Sequence, residues 1–193
     1  MLLQYQIVTV GVFIIFIFYV FDIRTKSGTA PLVGGVWTTL MKLIAATISI
    51  WFLYVVIFLN EVQWQHFVAL GLIIVGTSSI IAAKVTLGRF HTWSGYHKID
   101  TELVTKGIYS YIRHPLYTGG VLVEIAVAIV LFTEYRASRI EVLVAIAAAF
   151  GYMIPFNIIL AERETQKMRE KFGPVVDEYT SRVRAFIPIR KRA

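Results

Sequence analysis

Long apolar runs separated by short polar segments dominate the pattern of this chain. Five runs stand out, at about 7–23, 36–59, 67–83, 115–133 and 140–161. Each is close to the roughly 20 apolar residues that cross a bilayer as a helix. Because lipid offers no hydrogen bonds to the backbone, such runs have to be helical. The pattern therefore predicts an all-α, polytopic membrane protein with about five transmembrane helices.

Composition supports this fold class. Hydrophobic residues make up 57% of the 193 positions, more than one soluble core of this size could bury. The chain has no cysteine, which excludes disulfides, thiolate catalysis and Cys-ligated metal. No Lys or Arg precedes the first run and no small-residue cleavage site follows it, which favours a retained anchor over a signal peptide. The net charge of +7 is explained by positive residues that orient the protein in the membrane and contact anionic lipid. We therefore expect no nucleic-acid partner.

The distribution of positive charge predicts an orientation. Assigning the segments between runs to alternate sides gives sixteen Lys and Arg on one side against two on the other. The positive-inside rule then places the N-terminus outside, and a central loop and a C-terminal helical tail in the cytoplasm. The tail continues the fifth helix until Gly173 and Pro174 stop it. The central loop and the tail are therefore expected to meet.

The segment 103–119, LVTKGIYSYIRHPLYTG, lies in polar sequence where the fourth run begins. Pro115 biases His114 away from helical backbone and can itself open a helix, whose free N–H groups favour anions. Gly119 would let another backbone or a ligand approach closely. The alternative interpretation is a juxtamembrane loop whose Arg and Tyr side chains only anchor the interface.

The start of the central loop mixes cations with aromatic rings. Lys84 and Arg89 are candidates to bind a lipid head group, although a positive-inside loop with an aromatic belt explains them equally well. His97 could line a polar site. The histidines His91, His97 and His114 also permit a metal, but no Glu or His recurs at the helical spacing of a zinc site, so we expect no metal.

Carboxylates in the tail and inside the spans are further candidates. Helical spacing places Glu162 on one face of the tail and Glu164 with Met168 on another. A solvated, salt-bridged helix end would look the same. Glu124 and Asn157 lie inside apolar runs, where polar groups are costly and need a partner. We expect an interhelical hydrogen bond rather than a catalytic role for Glu124.

Segment 103–119 resembles the signature of the integral membrane methyltransferases that include isoprenylcysteine carboxyl methyltransferase and are related to phospholipid methyltransferases. In that signature LVxxGxY precedes RHPxYxG. The resemblance covers about 87–188. In the tail, the positions that keep the family's order and spacing are Glu162, Glu164, Phe172, Gly173, Tyr179, Arg182, Val183 and Pro188.

The resemblance implies S-adenosylmethionine as methyl donor, with S-adenosylhomocysteine as product. It implies that Glu162 and Glu164 close the cofactor pocket. The family often has His at the position of Thr101, and His97 is the candidate to replace it. The cofactor-binding residues implied by position are Val104, Gly107, Tyr109, His114, Pro115, Tyr117 and Gly119, together with His97.

The residue types are compatible with methyl transfer to more than one acceptor. Transfer from a sulfonium needs a nucleophile held in line, and positioning can supply much of the rate. A carboxylate acceptor needs a steering cation, for which Arg163, Lys84 and Arg89 are candidates. An amine acceptor needs a base, for which Glu162, Glu164 and His114 would serve. Both sets are present, so residue types leave the acceptor open.

The resulting prediction is a single integral membrane methyltransferase domain over 1–193, with a catalytic half at about 84–193. It would methylate the carboxylate of a prenylated cysteine or similar lipid conjugate that enters from the bilayer. The predicted catalytic residues are Glu162, Arg163 and Glu164, and Lys84 and Arg89 would bind the substrate. The alternatives are a phospholipid amine N-methyltransferase, or a non-catalytic lipid-binding protein or small transporter.

Overall fold

A computed structural model describes residues 1–20, 28–91, 95–138 and 140–188. Five long helices and one short helix dominate this part of the chain, with one pair of three-residue strands. The helices are α1 Leu2–Val20, α2 Gly35–Ile57, α3 Trp64–Leu87, α4 Pro115–Tyr135, α5 Ile140–Phe172 and α6 Pro174–Arg182, and the strands are β1 Thr29–Pro31 and β2 Tyr96–Lys98. Helices α1 to α5 are long and apolar enough to cross a membrane. The all-α fold with five spans is confirmed, and the chain is an integral, multi-pass membrane protein.

Proline and glycine set the helix boundaries that matter for function. Pro115 is the first residue of α4, and His114 before it has a non-helical backbone. Helix α5 continues past its apolar run to Phe172, as predicted. Gly173 has a positive φ of 62°, and Pro174 opens α6. The predicted end of the first run, 21–23, falls outside the described residues.

Helix α3 packs mainly against α4 and α1, whereas α2 packs against α1, α4 and α5. Gly76 and Gly119 bring α3 and α4 into close backbone contact. A Cβ built on Gly119 would lie 2.5 Å from the Gly76 carbonyl oxygen. The second and third spans, α2 and α3, are neighbours along the chain but make few contacts with each other among the described residues. Small residues that let α3 approach α4 decide the packing instead.

Three polar segments meet at one end of the helix bundle. Strands β1 and β2 pair antiparallel, with Thr29 opposite Lys98. The Arg113 backbone N–H donates to the Arg184 carbonyl at 2.9 Å, and the Tyr179 hydroxyl donates to the Tyr109 carbonyl at 2.6 Å. The central loop and the tail therefore meet, as predicted. Neither the β pair nor its join to the α1–α2 loop was expected from the sequence.

Candidate active site

A large cavity lies between the helices and runs from membrane depth to the polar end of the bundle. It encloses about 1490 Å³, counting the part of its mouth that is open to solvent. All five long helices contribute to its wall. Phe13, Glu124 and Asn157 line its deep part, and Lys98 and Thr101 line it near the loops. Its shape would admit a molecule with a long apolar part and a polar end.

Three lysines from three different elements surround the polar end of this cavity: Lys42 of α2, Lys84 of α3 and Lys98 of β2. The Lys84 ammonium group donates to the Tyr19 carbonyl. The Lys42 ammonium group lies over the Tyr96 ring, 5.6 Å from its centroid. Because the lysines come from separate elements, the fold and not a local sequence run gathers this positive charge. It favours an anionic group at the cavity's polar end.

A second, smaller cavity lies beside the first and is built largely by segment 103–119 and α6. Leu87, Glu164 and Met168 line both cavities, so the two share a wall. The other residues that line the smaller cavity are Glu102, Leu103, Val104, Tyr109, Arg113, His114, Thr165, Val176, Tyr179 and Thr180. Burial raises the pKa of Tyr179 to about 12, although Arg113 acts in the opposite sense, so the phenol stays protonated.

Glu164 occupies the shared wall in contact with segment 103–119. Its side chain is 29% exposed, and its Oε2 lies 3.9 Å from Nδ1 of His114. The Tyr117 side chain also hydrogen-bonds to the Glu164 carboxyl group. Tyr117 itself lines the large cavity. A carboxylate at this position can act on molecules in both cavities.

His114 makes a side-chain contact with α5, the helix that carries Glu164. Its Nε2 lies 2.7 Å from Oγ1 of Thr165, and that hydroxyl donates to the Ala161 carbonyl at 3.1 Å. The contact joins segment 103–119 to α5. Burial, with Arg113 as a second cause, lowers the pKa of His114 to about 3. His114 is therefore neutral, and its Nδ1 lies on the side of Glu164.

Comparison with known proteins places these cavities in context. Residues 69–155 match the model of the isoprenylcysteine carboxyl methyltransferase (ICMT) family. The predicted resemblance to the ICMT family is confirmed. That range contains most of α3, the whole of segment 103–119, α4 and the first half of α5. The match ends before Glu164 and α6. Their position beside segment 103–119 is therefore known from the structure and not from the family match.

Two curated relatives carry the same description. They are proteins of Oryza sativa subsp. indica and Oryza sativa subsp. japonica, each described as a probable protein-S-isoprenylcysteine O-methyltransferase. Each is 26% identical to this chain over 132 residues, which cover 67% of this chain and 64% of the relative. The chain thus matches less than two thirds of the length of these relatives. No solved structure matches it.

Most of the residues predicted from the ICMT signature lie at the two cavities. Thr101 and His97 both line the large cavity, and the replacement of the family's His by His97 stays a prediction. Nδ1 of His97 is buried and has no hydrogen-bond partner among the described residues. The predicted residues that line a cavity are Lys84, His97, Val104, Tyr109, His114, Tyr117 and Glu164.

Three residues of the signature have backbone or packing roles. Gly107 has a positive φ of 58°, and a Cβ there would lie 2.9 Å from Oγ1 of Thr86. Pro115 begins α4, and its carbonyl accepts a hydrogen bond from the Ser79 hydroxyl at 2.9 Å. Gly119 contacts α3, as described above. None of the three lines the cavities described here, and their predicted contact with a cofactor stays a prediction.

Other predicted residues lie on the surface. Arg89 is exposed, and its guanidinium lies 3.8 Å from the Glu102 carboxylate, 4.8 Å from the centroid of the Phe90 ring. Glu162 and Arg163 are exposed on α5 and line neither cavity. The sequence placed Glu162 in one pocket with His114 and Tyr117. In the structure Glu164 lines both cavities and Glu162 does not, because residues two apart on a helix face nearly opposite directions.

The sequence also missed residues that line the cavities. Lys42 was not among the candidate residues, yet it lines the large cavity. A cation inside an apolar run is a signal for such a position. Arg113 lines the smaller cavity, and its Nε is buried without a hydrogen-bond partner in the described part of the chain. The expected absence of a metal stays a prediction.

The depressed pKa of His114 predicts a pH dependence of stability. Between an unfolded pKa near 6.5 and the folded value of about 3, the unfolded chain binds a proton that the folded protein does not. The free energy of unfolding should therefore fall as the pH drops below about 6.5, by at most about 1.4 kcal/mol per pH unit from this group. Unfolding of the parent and of His114→Gln between pH 4.5 and 7.5 measures the difference. Parallel curves for the two proteins would contradict the prediction.

Proposed function

We propose that this chain is an S-adenosylmethionine-dependent membrane methyltransferase that acts on the carboxylate of a prenylated cysteine or a similar lipid conjugate. The observation that carries the proposal is the pair of adjoining cavities with Glu164 in their common wall. One cavity reaches membrane depth and suits a lipid acceptor. The other is built by the ICMT signature and suits the cofactor. The description of the two rice relatives agrees with this division.

The smaller cavity has the chemistry that this cofactor requires. Arg113 offers a buried guanidinium N–H without a hydrogen-bond partner among the described residues, which suits the cofactor's carboxylate. Val104, Tyr109 and Val176 provide apolar and aromatic surface for the adenine ring. Glu164 provides negative charge for the sulfonium. When bound, S-adenosylmethionine supplies a methyl group on sulfur and leaves as S-adenosylhomocysteine.

The polar end of the large cavity favours an anionic acceptor. Lys42, Lys84 and Lys98 surround it, so they can hold a carboxylate with one oxygen directed at the methyl carbon. Arg89 and Arg163, the other predicted cations, lie outside the cavity, so Lys84 takes the steering role. A carboxylate acceptor has no proton to lose, and the transfer then needs no base. His114, neutral and bonded to Thr165, keeps the wall in place.

The test is transfer of radiolabel from S-adenosylmethionine by the purified protein. Farnesylated cysteine and phosphatidylethanolamine are supplied separately. A base-labile methyl ester on farnesylated cysteine supports the proposal. Base-stable label on phosphatidylethanolamine alone would favour the phospholipid N-methyltransferase. Failure to bind S-adenosylhomocysteine in calorimetry would instead favour a non-catalytic lipid-binding protein or small transporter.

We further propose that 1–193 acts as one domain, with the catalytic half at about 84–193. Helices α1 and α2 lie outside that half, yet Phe13 and Lys42 line the large cavity. The N-terminus would lie outside, and the central loop and C-terminus in the cytoplasm. The charge count supports this orientation, and the joining of the loop and tail at one end of the bundle agrees with it.

The orientation predicts opposite labelling of two engineered cysteines. Ser181 in α6 and Ser138 between α4 and α5 are both exposed, and the parent has no cysteine of its own. In intact cells, a membrane-impermeant thiol reagent should label Ser138→Cys and leave Ser181→Cys unlabelled. Ser181→Cys should react only after the membrane is opened. The reverse pattern would invert the proposed topology.

A further inference from the structure

A polar pair occupies the deep part of the large cavity. The Asn157 side-chain amide donates to Oε1 of Glu124 at 2.7 Å, which joins α4 to α5. Both residues line the cavity, and they are only 8% and 6% exposed. The second carboxyl oxygen of Glu124, Oε2, has no hydrogen-bond partner among the described residues. The interhelical hydrogen bond thus satisfies only one of the two carboxyl oxygens of Glu124.

The pair lies well away from the site of methyl transfer. Glu124 is nine residues into α4 from Pro115, and Asn157 is seven residues before Glu164 on α5. At the rise of an α-helix these separations correspond to about 14 Å and about 10 Å. Apolar side chains that include Phe13, Val127 and Phe156 line the same region. The pair therefore lies where the chain of a lipid acceptor, and not its head, would be.

A plain hydrocarbon chain is a poor match for this position. It would enclose Oε2 of Glu124 without offering a hydrogen bond, and an unpaired buried polar group is costly. A hydroxyl group on the lipid would match the pair, because it can donate to a carboxylate oxygen and accept from a protonated one. If the pair only joined two helices, a second carboxyl oxygen in the cavity wall would bring a cost without a benefit.

We propose that Glu124 and Asn157 form a specificity site that hydrogen-bonds a hydroxyl group on the acceptor's lipid chain, about 10 to 14 Å along the helices from Glu164 and Pro115. The inference rests on the proposed function and narrows its substrate class. The preferred acceptor is an oxygenated lipid conjugate rather than one with an all-hydrocarbon tail. Sites of this kind reject analogues that lack the bonded group, because their polar atoms are then left unpaired.

The test measures lipid binding, so it does not depend on methyl transfer. Tritiated stearate and 12-hydroxystearate are bound to the purified full chain in detergent, since the hydroxyl of the second lies mid-chain. The parent should bind 12-hydroxystearate about tenfold more tightly or better. Glu124→Leu should lose this preference and bind stearate at least as well as the parent. Glu124→Gln, which keeps hydrogen-bonding groups at this position, should retain a preference.

Binding of S-adenosylhomocysteine and thermal unfolding show that each variant is folded. Equal binding of the two fatty acids by the parent, binding of neither, or a preference that survives in folded Glu124→Leu would overturn the proposal and leave the pair as an interhelical bond. A retained binding preference without methyl transfer to any acceptor would instead contradict the proposed enzyme activity alone. The two failures are therefore distinguishable.

Discussion

Replacing Glu164 by Gln is expected to lower kcat/KM by about 100- to 1000-fold, the range found when one electrostatic contact at a reacting centre is removed. Glu164 lies in the wall shared by the two cavities and contacts both His114 and Tyr117. Gln has nearly the same shape and can still accept a hydrogen bond from Tyr117, so the fold should persist. The variant loses the negative charge beside the sulfonium of the proposed cofactor, S-adenosylmethionine.

Glu162 provides the matched control for this measurement. It is two residues away on the same helix, has the same chemistry and is exposed. Glu162→Gln should change kcat/KM by no more than about twofold, because a surface charge contributes little at this distance. Both variants are assayed with radiolabelled S-adenosylmethionine and farnesylated cysteine, and both are titrated with S-adenosylhomocysteine. A larger loss in Glu162→Gln than in Glu164→Gln would show that the tail carboxylates have been assigned in the wrong order.

The sequence was sufficient to predict the five spans because bilayer thickness fixes the length of an apolar helix. It was also sufficient for the ends of α4 and α5, since Pro115, Gly173 and Pro174 act on the local backbone. These are short-range effects. The sequence also predicted that the central loop meets the tail. Successive segments between spans lie on alternate sides of the membrane, so this prediction needs only the number of spans.

Properties that depend on rotation of a helix or on long-range contact could not be predicted in this way. Helical spacing separated Glu162 from Glu164, but it could not decide which of the two faces segment 103–119. Lys42 was missed because the sequence does not reveal that α2 lies beside the cavity. The β pair was missed since a strand of three residues carries too little pattern to detect. Each of these features depends on tertiary packing.

Gly119 is another residue whose role depends on tertiary packing. Its replacement by alanine is expected to have the second large effect, a loss of stability. The signature indicates a ligand contact or a close backbone approach, and the structure places Gly119 against α3. Gly119→Ala should destabilise the protein by about 1 to 3 kcal/mol, because the new methyl group would overpack a helix interface. Its Cβ would lie 2.5 Å from the Gly76 carbonyl oxygen and 2.7 Å from Cγ1 of Ile80. The Gly76 backbone can make room for the methyl group only if α3 and α4 move apart.

Gly120 and Gly151 are the controls for Gly119→Ala, since a Cβ on either would meet nothing within 4 Å. Alanine at these positions should leave stability unchanged or raise it, because alanine is favoured over glycine inside a helix by about 1 kcal/mol. Gly120 lines the large cavity and Gly151 does not, so activity in Gly151→Ala should equal that of the parent. Thermal unfolding in detergent and titration with S-adenosylhomocysteine are measured for all three variants. If Gly119→Ala unfolds like the parent but binds the cofactor product weakly, then Gly119 contacts the ligand, and the packing assignment is wrong.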